Sequence, residues 1–259
     1  MSFRSMIERQ AAYRLFSSVL PDDHAKQFSA DSYIDRLPIL HGPDCRVLDL
    51  GCGEGASRIR FEQQAQAIEW YGVDIADSPE VAGRLAEVER VITFDGVNLP
   101  FGDQCFDVVF SRQVFEHVRH PDALAREAAR VLKPGGAFVG SVAYLEPYHS
   151  RSIFNFTPYG LMTVLGDAGL EVSELRPGID AYTLIGRQML AGPRFFQVFF
   201  RHSPVNMLLE GLGRLTGLAN RHRNFLKLQF AGHICFHATK PPATRHDSRA
   251  VHDSFQGTP

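Results

Sequence analysis

The segment VLDLGCGEGAS at residues 47–57 decides the fold, because it joins a short apolar run to a glycine-rich turn. Val47, Leu48 and Leu50 are typical of a strand that is covered on both faces of a parallel sheet. The glycines that follow let the backbone turn sharply and approach a ligand closely. Asp49 lies near the end of this strand, where α/β sheets bind their ligands. The segment therefore predicts a binding site for a nucleotide-like ligand.

The spacing of the glycines indicates the kind of ligand. A dinucleotide-binding turn reads G-x-G-x-x-G, whereas Gly51, Gly53 and Gly55 form G-x-G-x-G with Asp49 and Glu54 beside them. Carboxylates are unfavourable neighbours for a pyrophosphate. They suit a ligand that carries an ammonium and a sulfonium, as S-adenosylmethionine does.

Acidic residues also follow the next two predicted strands. The run from Trp70 to Val73 leads into Asp74, close to the spacing of about 20 residues at which an acid meets a ribose hydroxyl. The short strand predicted at 90–94 is followed by Asp95. Since parallel strands end at one edge of a sheet, we expect these carboxylates to lie around one ligand.

The rest of the core continues in the same order, with a fourth strand at 105–110, a segment FSRQVFEHV at 110–118, and LKPGG at 132–136 before a strand at 137–142. Over residues 45–145 the chain resembles the class I S-adenosylmethionine-dependent methyltransferases, in the small-molecule subgroup whose cores read D-x-G-C-G-x-G, L-P-F, F-D, E-H-V and L-K-P-G-G. The resemblance implies an α/β, Rossmann-like, doubly wound and mostly parallel seven-stranded sheet. A helical insertion is expected before the last strand.

The same resemblance implies S-adenosylmethionine as the cofactor and a set of residues that hold it. Asp49 is expected near the amino group, with Gly51, Cys52 and Gly53 along the methionine and ribose and Asp74 on the ribose hydroxyls. Ile75, Asp95 and Gly96 are expected around the adenine. Ser111 is expected to offer its carbonyl oxygen to the methionine ammonium, and Gln113 to lie close to the reacting methyl group.

Composition indicates a cytoplasmic enzyme. The chain has 259 residues, 44% of them hydrophobic, and no apolar run long enough to span a bilayer or form a signal-peptide core. Its four cysteines, Cys45, Cys52, Cys105 and Cys235, form no C-x-x-C pair, so neither a zinc knuckle nor a disulfide framework is indicated. The net charge of -2 and the lack of an RNA-binding module argue against a nucleic-acid partner.

We expect one domain over residues 1–240 and a disordered polar tail at 241–259. Residues 1–40 are expected to form a helical cap that closes over the cofactor or packs on the sheet edge, and 41–145 the cofactor-binding core. Thr157 and Pro158 are expected to begin a helix, and strands are expected at 170–175 and 229–239. A helical insertion or lid is expected at 183–227.

The insertion is both apolar and cationic. Residues 187–227 contain seven basic side chains and one acid, Glu210, and therefore carry a net charge of +6. Three interpretations stay open: a lid over the substrate pocket, a contact with an anionic membrane surface at the inner face of the membrane, and a homodimer interface.

The loop at 143–151 is the predicted source of catalytic groups. Methyl transfer is an in-line displacement, in which an alcohol nucleophile also needs a proton acceptor. His149 is the first candidate for this base, because a histidine ordinarily titrates near neutral pH. Glu146 and Tyr144 are second candidates, as base and as substrate contact.

No metal is expected at this site. Some quinone-pathway O-methyltransferases of this family bind a divalent cation through E-x-x-E-H, and here Gln113 replaces the first glutamate. Only Glu116 and His117 of that pattern remain, which is a poor site for a hard cation.

The acceptor is expected to be a sugar or another small hydroxylated molecule, lipid-linked in one variant of this hypothesis. The segment IFNFTPYG at 153–160 resembles methyltransferases encoded with bacterial glycan or natural-product genes. One alternative is an apolar quinone or lipid precursor methylated at the membrane surface. Another, from a different class, is a cofactor-binding subunit without catalytic activity.

Overall fold

A seven-stranded sheet organises the computed structural model, which describes residues 3–64, 68–78 and 90–242. Its strands are β1 (Arg46–Leu50), β2 (Glu69–Ile75), β3 (Val91–Phe94), β4 (Phe106–Arg112), β5 (Leu132–Ala143), β6 (Glu171–Pro177) and β7 (His233–Thr239). The strand order is β3-β2-β1-β4-β5-β7-β6, and β7 alone runs antiparallel to its neighbours. The predicted Rossmann-like, mostly parallel seven-stranded fold is confirmed.

Helices connect these strands across both faces of the sheet. In the described part of the chain they are α1 (Phe3–Glu8), α2 (Ala11–Phe16), α3 (Asp31–Ile34), α4 (Ala56–Gln64), α5 (Pro121–Val131), α6 (Pro158–Asp167), α7 (Ala181–Met189), α8 (Pro204–Leu215) and α9 (Asn220–Leu228). Thr157 caps α6, because its hydroxyl accepts a hydrogen bond from the Gly160 N–H at 3.0 Å.

Each face of the sheet has its own apolar core, because side chains along a strand alternate between the two faces. Leu48 and Leu50 of β1 pack into the core beneath α5 and α6. Val47 points to the opposite face of the sheet, where it packs in the same core as Phe61 of α4. All four side chains are completely buried. Each contributes about 1.5–3 kcal/mol relative to an exposed position.

The N-terminal segment covers the outer edge of the sheet. The Leu175 N–H of β6 donates to the Val19 carbonyl at 2.8 Å, and the Phe28 N–H donates to the Pro177 carbonyl at 3.0 Å. These bonds occupy main-chain groups that an uncovered edge strand leaves unpaired. Beyond this edge, Asp31 of α3 forms an ion pair with Arg112 at the end of β4. The segment thus packs on the sheet edge and reaches the end where the parallel strands terminate.

The insertion before β7 contains helices α7, α8 and α9 and a 3-10 helix over Arg194–Phe200. It begins slightly earlier than expected, because Asp180 caps α7 by accepting a hydrogen bond from the Thr183 N–H at 2.8 Å. None of the described helices is long and apolar enough to cross a membrane. Residues 243–259 of the expected tail lie outside the described residues.

Candidate active site

The glycine turn after β1 is held by the neighbouring strand β2. Gly51, Gly53 and Gly55 have φ values of 71°, 53° and 81°, a region that side chains strongly disfavour. The N–H groups of Gly51 and Cys52 both donate to the Val73 carbonyl, at 2.8 and 3.0 Å. A Cβ atom at Gly51 would also overlap the Val114 side chain. The glycine pattern therefore follows from backbone conformation and from close contact with the loop after β4.

Asp74 fixes the conformation of the same turn. One carboxylate oxygen accepts a hydrogen bond from the Gly53 N–H at 2.8 Å, and the other accepts from the Ile75 N–H at 2.8 Å. Each oxygen has a second lone pair for a further donor. The carboxylate is thus oriented at the end of β2 and fits the predicted role of accepting from ribose hydroxyls.

Asp49 is a buried acid beneath the turn. It accepts a hydrogen bond from the Ser57 hydroxyl, which in turn accepts one from the Trp70 indole N–H at 3.1 Å. Burial raises the pKa of Asp49 to about 7, against the opposing effects of the Ser57 hydrogen bond and the Arg112 charge. A cation beside it would favour the ionised form. This fits a ligand that brings an ammonium group.

The residues after β3 lie beside Ile75, the last residue of β2. Asp95 accepts hydrogen bonds from the N–H groups of Val97 and Asn98 at 2.8 and 2.7 Å, and the Asn98 side chain lowers its pKa further. The Asn98 side chain lowers the pKa of Asp95 most, and the main-chain N–H groups lower it less. Gly96, with φ of 88°, lies against the Ile75 side chain, which is 36% exposed. Together they offer an acid and an apolar surface that fit an adenine.

Ser111 and Cys52 have structural contacts of their own. The carbonyl oxygen of Ser111 lies against Gly140 of β5, where a Cβ atom would overlap it. The Ser111 hydroxyl is buried and has no hydrogen-bond partner among the described residues. Cys52 is 8% exposed and packs against Gly72 of β2. Contact of these two residues with a cofactor stays a prediction.

Gln113 begins a second group of polar side chains, after β4. Its φ of 55° is uncommon for a residue other than glycine, and such strained positions concentrate at functional sites. The main-chain N–H donates to the Ser141 carbonyl of β5 at 2.9 Å. With its amide nitrogen toward the neighbouring acids, Gln113 donates to Glu116 at 2.8 Å and to Glu146 at 3.2 Å. Gln113 therefore connects the loops that follow β4 and β5.

Glu116 is completely buried. Burial raises the pKa of its carboxyl to about 8, and the nearby Glu146 charge adds to this increase. The group is therefore mostly protonated at neutral pH. Its main-chain carbonyl accepts from the N–H groups of Ile153 and Phe154 at 2.6 and 3.1 Å, which anchors the segment after His149.

Glu146 brings two histidines together at the ends of β5 and β7. One carboxylate oxygen lies 3.6 Å from Nδ1 of His149, and the other lies 2.9 Å from Nε2 of His233. His233 reaches this position because β7 is antiparallel to β5 and pairs His233 with Ala143. His233 was not among the site residues predicted from the sequence. What could have indicated it is its position at the start of the last strand. When that strand is antiparallel to β5, its first residue lies beside the last residue of β5.

Tyr144 lies apart from this group. It lines a cavity of about 320 Å³ whose other walls come from α2, α6 and the end of α9 (Ala12, Phe16, Thr157, Pro158, Tyr159, Phe225, Leu228 and Gln229). Among the described residues its hydroxyl makes no hydrogen bond with Glu146 or His149. The three predicted catalytic residues are thus divided into the pair Glu146–His149 and a separate Tyr144.

In the structure, His149 lies next to Glu116 and His117, the two possible metal ligands identified from the sequence. Single ligand atoms from Glu116, His117 and His149 all lie within 4.8 Å of one another. The rings of His117 and His149 meet edge to face, with centroids 5.3 Å apart. That no metal takes part in the reaction stays a prediction. If a metal does bind, these three residues are its candidate ligands.

Comparison with known proteins relates the described core to methyl transfer. The family model for a methyltransferase domain matches residues 48–140. The chain is 33% identical over 113 residues to the 27-O-demethylrifamycin SV methyltransferase of Amycolatopsis mediterranei, covering 41% of this chain and 40% of that protein. It is 40% identical over 99 residues to the ubiquinone/menaquinone biosynthesis C-methyltransferase of Dinoroseobacter shibae, covering 35% of this chain and 39% of that protein.

A solved structure extends the similarity of fold. Phosphoethanolamine N-methyltransferase 2 of Haemonchus contortus, in complex with S-adenosyl-L-methionine, aligns with a TM-score of 0.53 and 18% identity over 93% of this chain and 60% of that one. The chain spans well under two thirds of the length of the curated relatives it matches. The glycine turn, the acids at the strand ends and the match to the methyltransferase family model show that residues 48–140 belong to a class I S-adenosylmethionine-dependent methyltransferase domain.

Proposed function

We propose that the chain transfers a methyl group from S-adenosylmethionine to a hydroxyl of a small acceptor, a sugar or another hydroxylated molecule. The observation that carries this proposal is the position of Glu146 between His149 and His233, beside the loop that contacts the glycine turn. When bound, the cofactor supplies an electrophilic methyl group. The residues that would hold it are Asp49, Gly51, Cys52, Gly53, Asp74, Ile75, Asp95, Gly96, Ser111 and Gln113.

His149 would act as the general base. Its side chain is 31% exposed, so the ring is accessible from the solvent side while the Glu146 carboxylate lies next to it. That carboxylate would orient the ring and stabilise the imidazolium that forms when His149 accepts the proton of the hydroxyl. A protonated Glu116 keeps a second negative charge away from Glu146, since adjacent carboxyl groups do not readily ionise together.

An apolar quinone or lipid-like acceptor, methylated at the membrane surface, is the second candidate. It is favoured by the exposed apolar side chains of α8, including Met207, Leu208 and Leu212, each more than half exposed. The name of one relative above contains an O-demethylated substrate, and the other relative is named a C-methyltransferase. The two names therefore support methyl transfer, but they do not favour one type of acceptor over the other.

Two experiments separate these proposals from a cofactor-binding subunit without catalytic activity. Calorimetry with S-adenosylmethionine and S-adenosylhomocysteine should show binding of both. A donor with a labelled methyl group, incubated with sugars, nucleotide sugars, phenols and lipids, should then label a hydroxylated acceptor. Binding without transfer to any class would support the non-catalytic subunit, and failure to bind either molecule would overturn the proposal.

Chelation tests the expectation that no metal takes part. We expect transfer to proceed unchanged after treatment with EDTA. Activity that is lost and then restored by magnesium would instead show that a divalent cation takes part, with Glu116, His117 and His149 as its candidate ligands.

A further inference from the structure

Helix α8 faces the protein with its polar side and the surroundings with its apolar side. On the inner side, the Asn206 amide donates to the Gln27 side chain at 2.9 Å and to the Gly178 carbonyl at 2.8 Å. On the outer side, Leu208, Leu212 and Leu215 are 61%, 51% and 86% exposed. A surface helix of a globular protein normally has the opposite arrangement. The outer face of α8 is therefore suited to an apolar environment.

The apolar surface continues on neighbouring parts of the insertion. Helix α7, which contacts α8, exposes Tyr182, Ile185 and Met189 at helical spacing on one side. Phe195 and Val198 of the 3-10 helix are 61% and 57% exposed. Extended apolar surfaces of this kind mark sites of interaction with proteins or membranes.

The charges of the insertion are arranged so that its exposed surface is cationic. Glu210, its one acid, is 18% exposed and forms ion pairs with Arg214, Arg223 and Lys227 at 2.8, 3.3 and 2.6 Å. Arg194 and Arg201 are exposed and have no ion-pair partner among the described residues. Positive charge thus accompanies the apolar side chains, without an unpaired acid in the insertion.

We propose that the outer face of α7, the 3-10 helix and α8 docks on an anionic membrane surface. A bilayer with acidic headgroups supplies both an apolar layer for the leucines and negative charge for Arg194 and Arg201. A two-fold contact between copies of this chain is less favourable, because an isologous interface would place this face opposite itself, where Arg194 and Arg201 would find no unpaired acid of the insertion. The face would lie in the interface rather than span the bilayer.

The docked face adjoins the candidate catalytic group. Phe200, at the end of the 3-10 helix, has its ring centroid 6.1 Å from that of His233, and Arg187 of α7 lies over the Phe200 ring. A membrane-held acceptor would therefore meet the site from the side of the bilayer. This consequence rests on the proposed function, whereas docking itself does not.

Sedimentation with vesicles tests docking without any measurement of activity. The full chain should pellet with vesicles of phosphatidylcholine and phosphatidylglycerol, less at high salt, and stay in the supernatant with phosphatidylcholine alone. The triple variant Leu208→Gln/Leu212→Gln/Leu215→Gln should lose binding by tenfold or more, on the order expected from removing buried apolar area. Ile59→Gln is the matched control, because Ile59 of α4 is 62% exposed and lies outside the insertion.

Charge variants separate the electrostatic part of the interaction. Arg194→Gln and Arg201→Gln should each weaken binding to anionic vesicles about fivefold, which corresponds to the contribution expected for one basic residue near such a surface. Arg126→Gln, an exposed arginine of α5, should bind like the wild type. Circular dichroism checks that each variant is folded.

Two results would overturn the proposal. One is equal recovery of the wild type in the supernatant with and without anionic vesicles. The other is a dimer in light scattering that the triple leucine variant abolishes while vesicle binding is absent, which would make this face an interface between copies. Neither result depends on finding a methyl acceptor, so failure here is distinguishable from failure of the proposed function.

Discussion

The proposed cofactor half of the site, at the ends of β1, β2 and β3, is built largely from main chain, whereas the proposed acceptor half, at the ends of β4 and β5 and the start of β7, is built from side chains. In the first half, glycines with positive φ turn the backbone and Asp74 holds two N–H groups. In the second, Glu146 lies between histidines from separate segments. The backbone conformation of the first half suits a cofactor that is the same in every methyl transfer. The side chains of the second half can be exchanged for others that suit a different acceptor.

This division predicts that the two halves fail in different ways. Damage to the acceptor half should reduce turnover and leave cofactor binding intact. Damage to the cofactor half should reduce cofactor affinity directly.

The largest effect is expected for His149→Ala. Loss of a general base should lower turnover of the hydroxylated acceptor by roughly 10²–10⁴-fold, with unchanged cofactor affinity. Turnover is measured with a labelled methyl donor, and affinity by calorimetry. His41→Ala, at an exposed histidine away from both halves, is the control. Unchanged turnover in His149→Ala would remove His149 as the base.

A smaller effect is expected for Asp74→Asn. The substitution removes the charge that orients the Gly53 and Ile75 N–H groups and that is predicted to accept from the ribose hydroxyls, and hydrogen bonds to a charged group contribute about 1.5–3 kcal/mol. Cofactor affinity should therefore fall by about tenfold to 100-fold. Asp77→Asn is the matched control, because Asp77 follows the same strand but its side chain is 77% exposed. Equal affinities for the two variants would contradict the role of Asp74.

The pH dependence of cofactor binding tests Asp49. Burial raises its pKa to about 7, and a bound ammonium would favour the ionised form. Affinity for S-adenosylhomocysteine should therefore rise with pH up to about 7 and level off above it, changing by at most about tenfold per pH unit below that point. Calorimetry across this range should show the dependence in the wild type and a flat profile in Asp49→Asn. A wild-type affinity independent of pH would reject the contact.

The last prediction concerns the stability of the folded chain. The pKa of Glu116 is about 8 in the folded protein and ordinarily 4.5, so the folded state holds a proton that the unfolded state releases. The free energy of unfolding should fall as pH rises from about 4.5 to 8, by at most about 1.4 kcal/mol per pH unit from this group. Denaturant titration should show a weaker fall in Glu116→Gln than in the exposed control Glu62→Gln. Identical pH profiles would mean that Glu116 ionises normally in the folded chain.

The cofactor half was largely predictable from the sequence because its determinants are local. Gly51, Gly53 and Asp49 are close together along the chain, and each strand run leads directly into its acid. The sequence also predicted the cap of α6 at Thr157, which depends on one turn of helix.

The acceptor half was only partly predictable, because its contacts join distant segments. His233 approaches Glu146 through the pairing of β7 with β5, and no local pattern marks it. Tyr144 and Glu146 are close in sequence, yet Tyr144 lines the cavity beside α2 and α6, whereas Glu146 lies beside His149 and His233. A helical insertion was predicted, but the sequence did not show that Asn206 and Glu210 lie on the inner side of α8 while Leu208, Leu212 and Leu215 lie on its outer side.

Calorimetric titration of S-adenosylhomocysteine into the wild type, Asp74→Asn and His149→Ala tests the division of the site most directly. We expect binding to the wild type, the same affinity for His149→Ala, and clearly weaker binding for Asp74→Asn. A wild type that does not bind, or a His149→Ala variant weakened as much as Asp74→Asn, would contradict it.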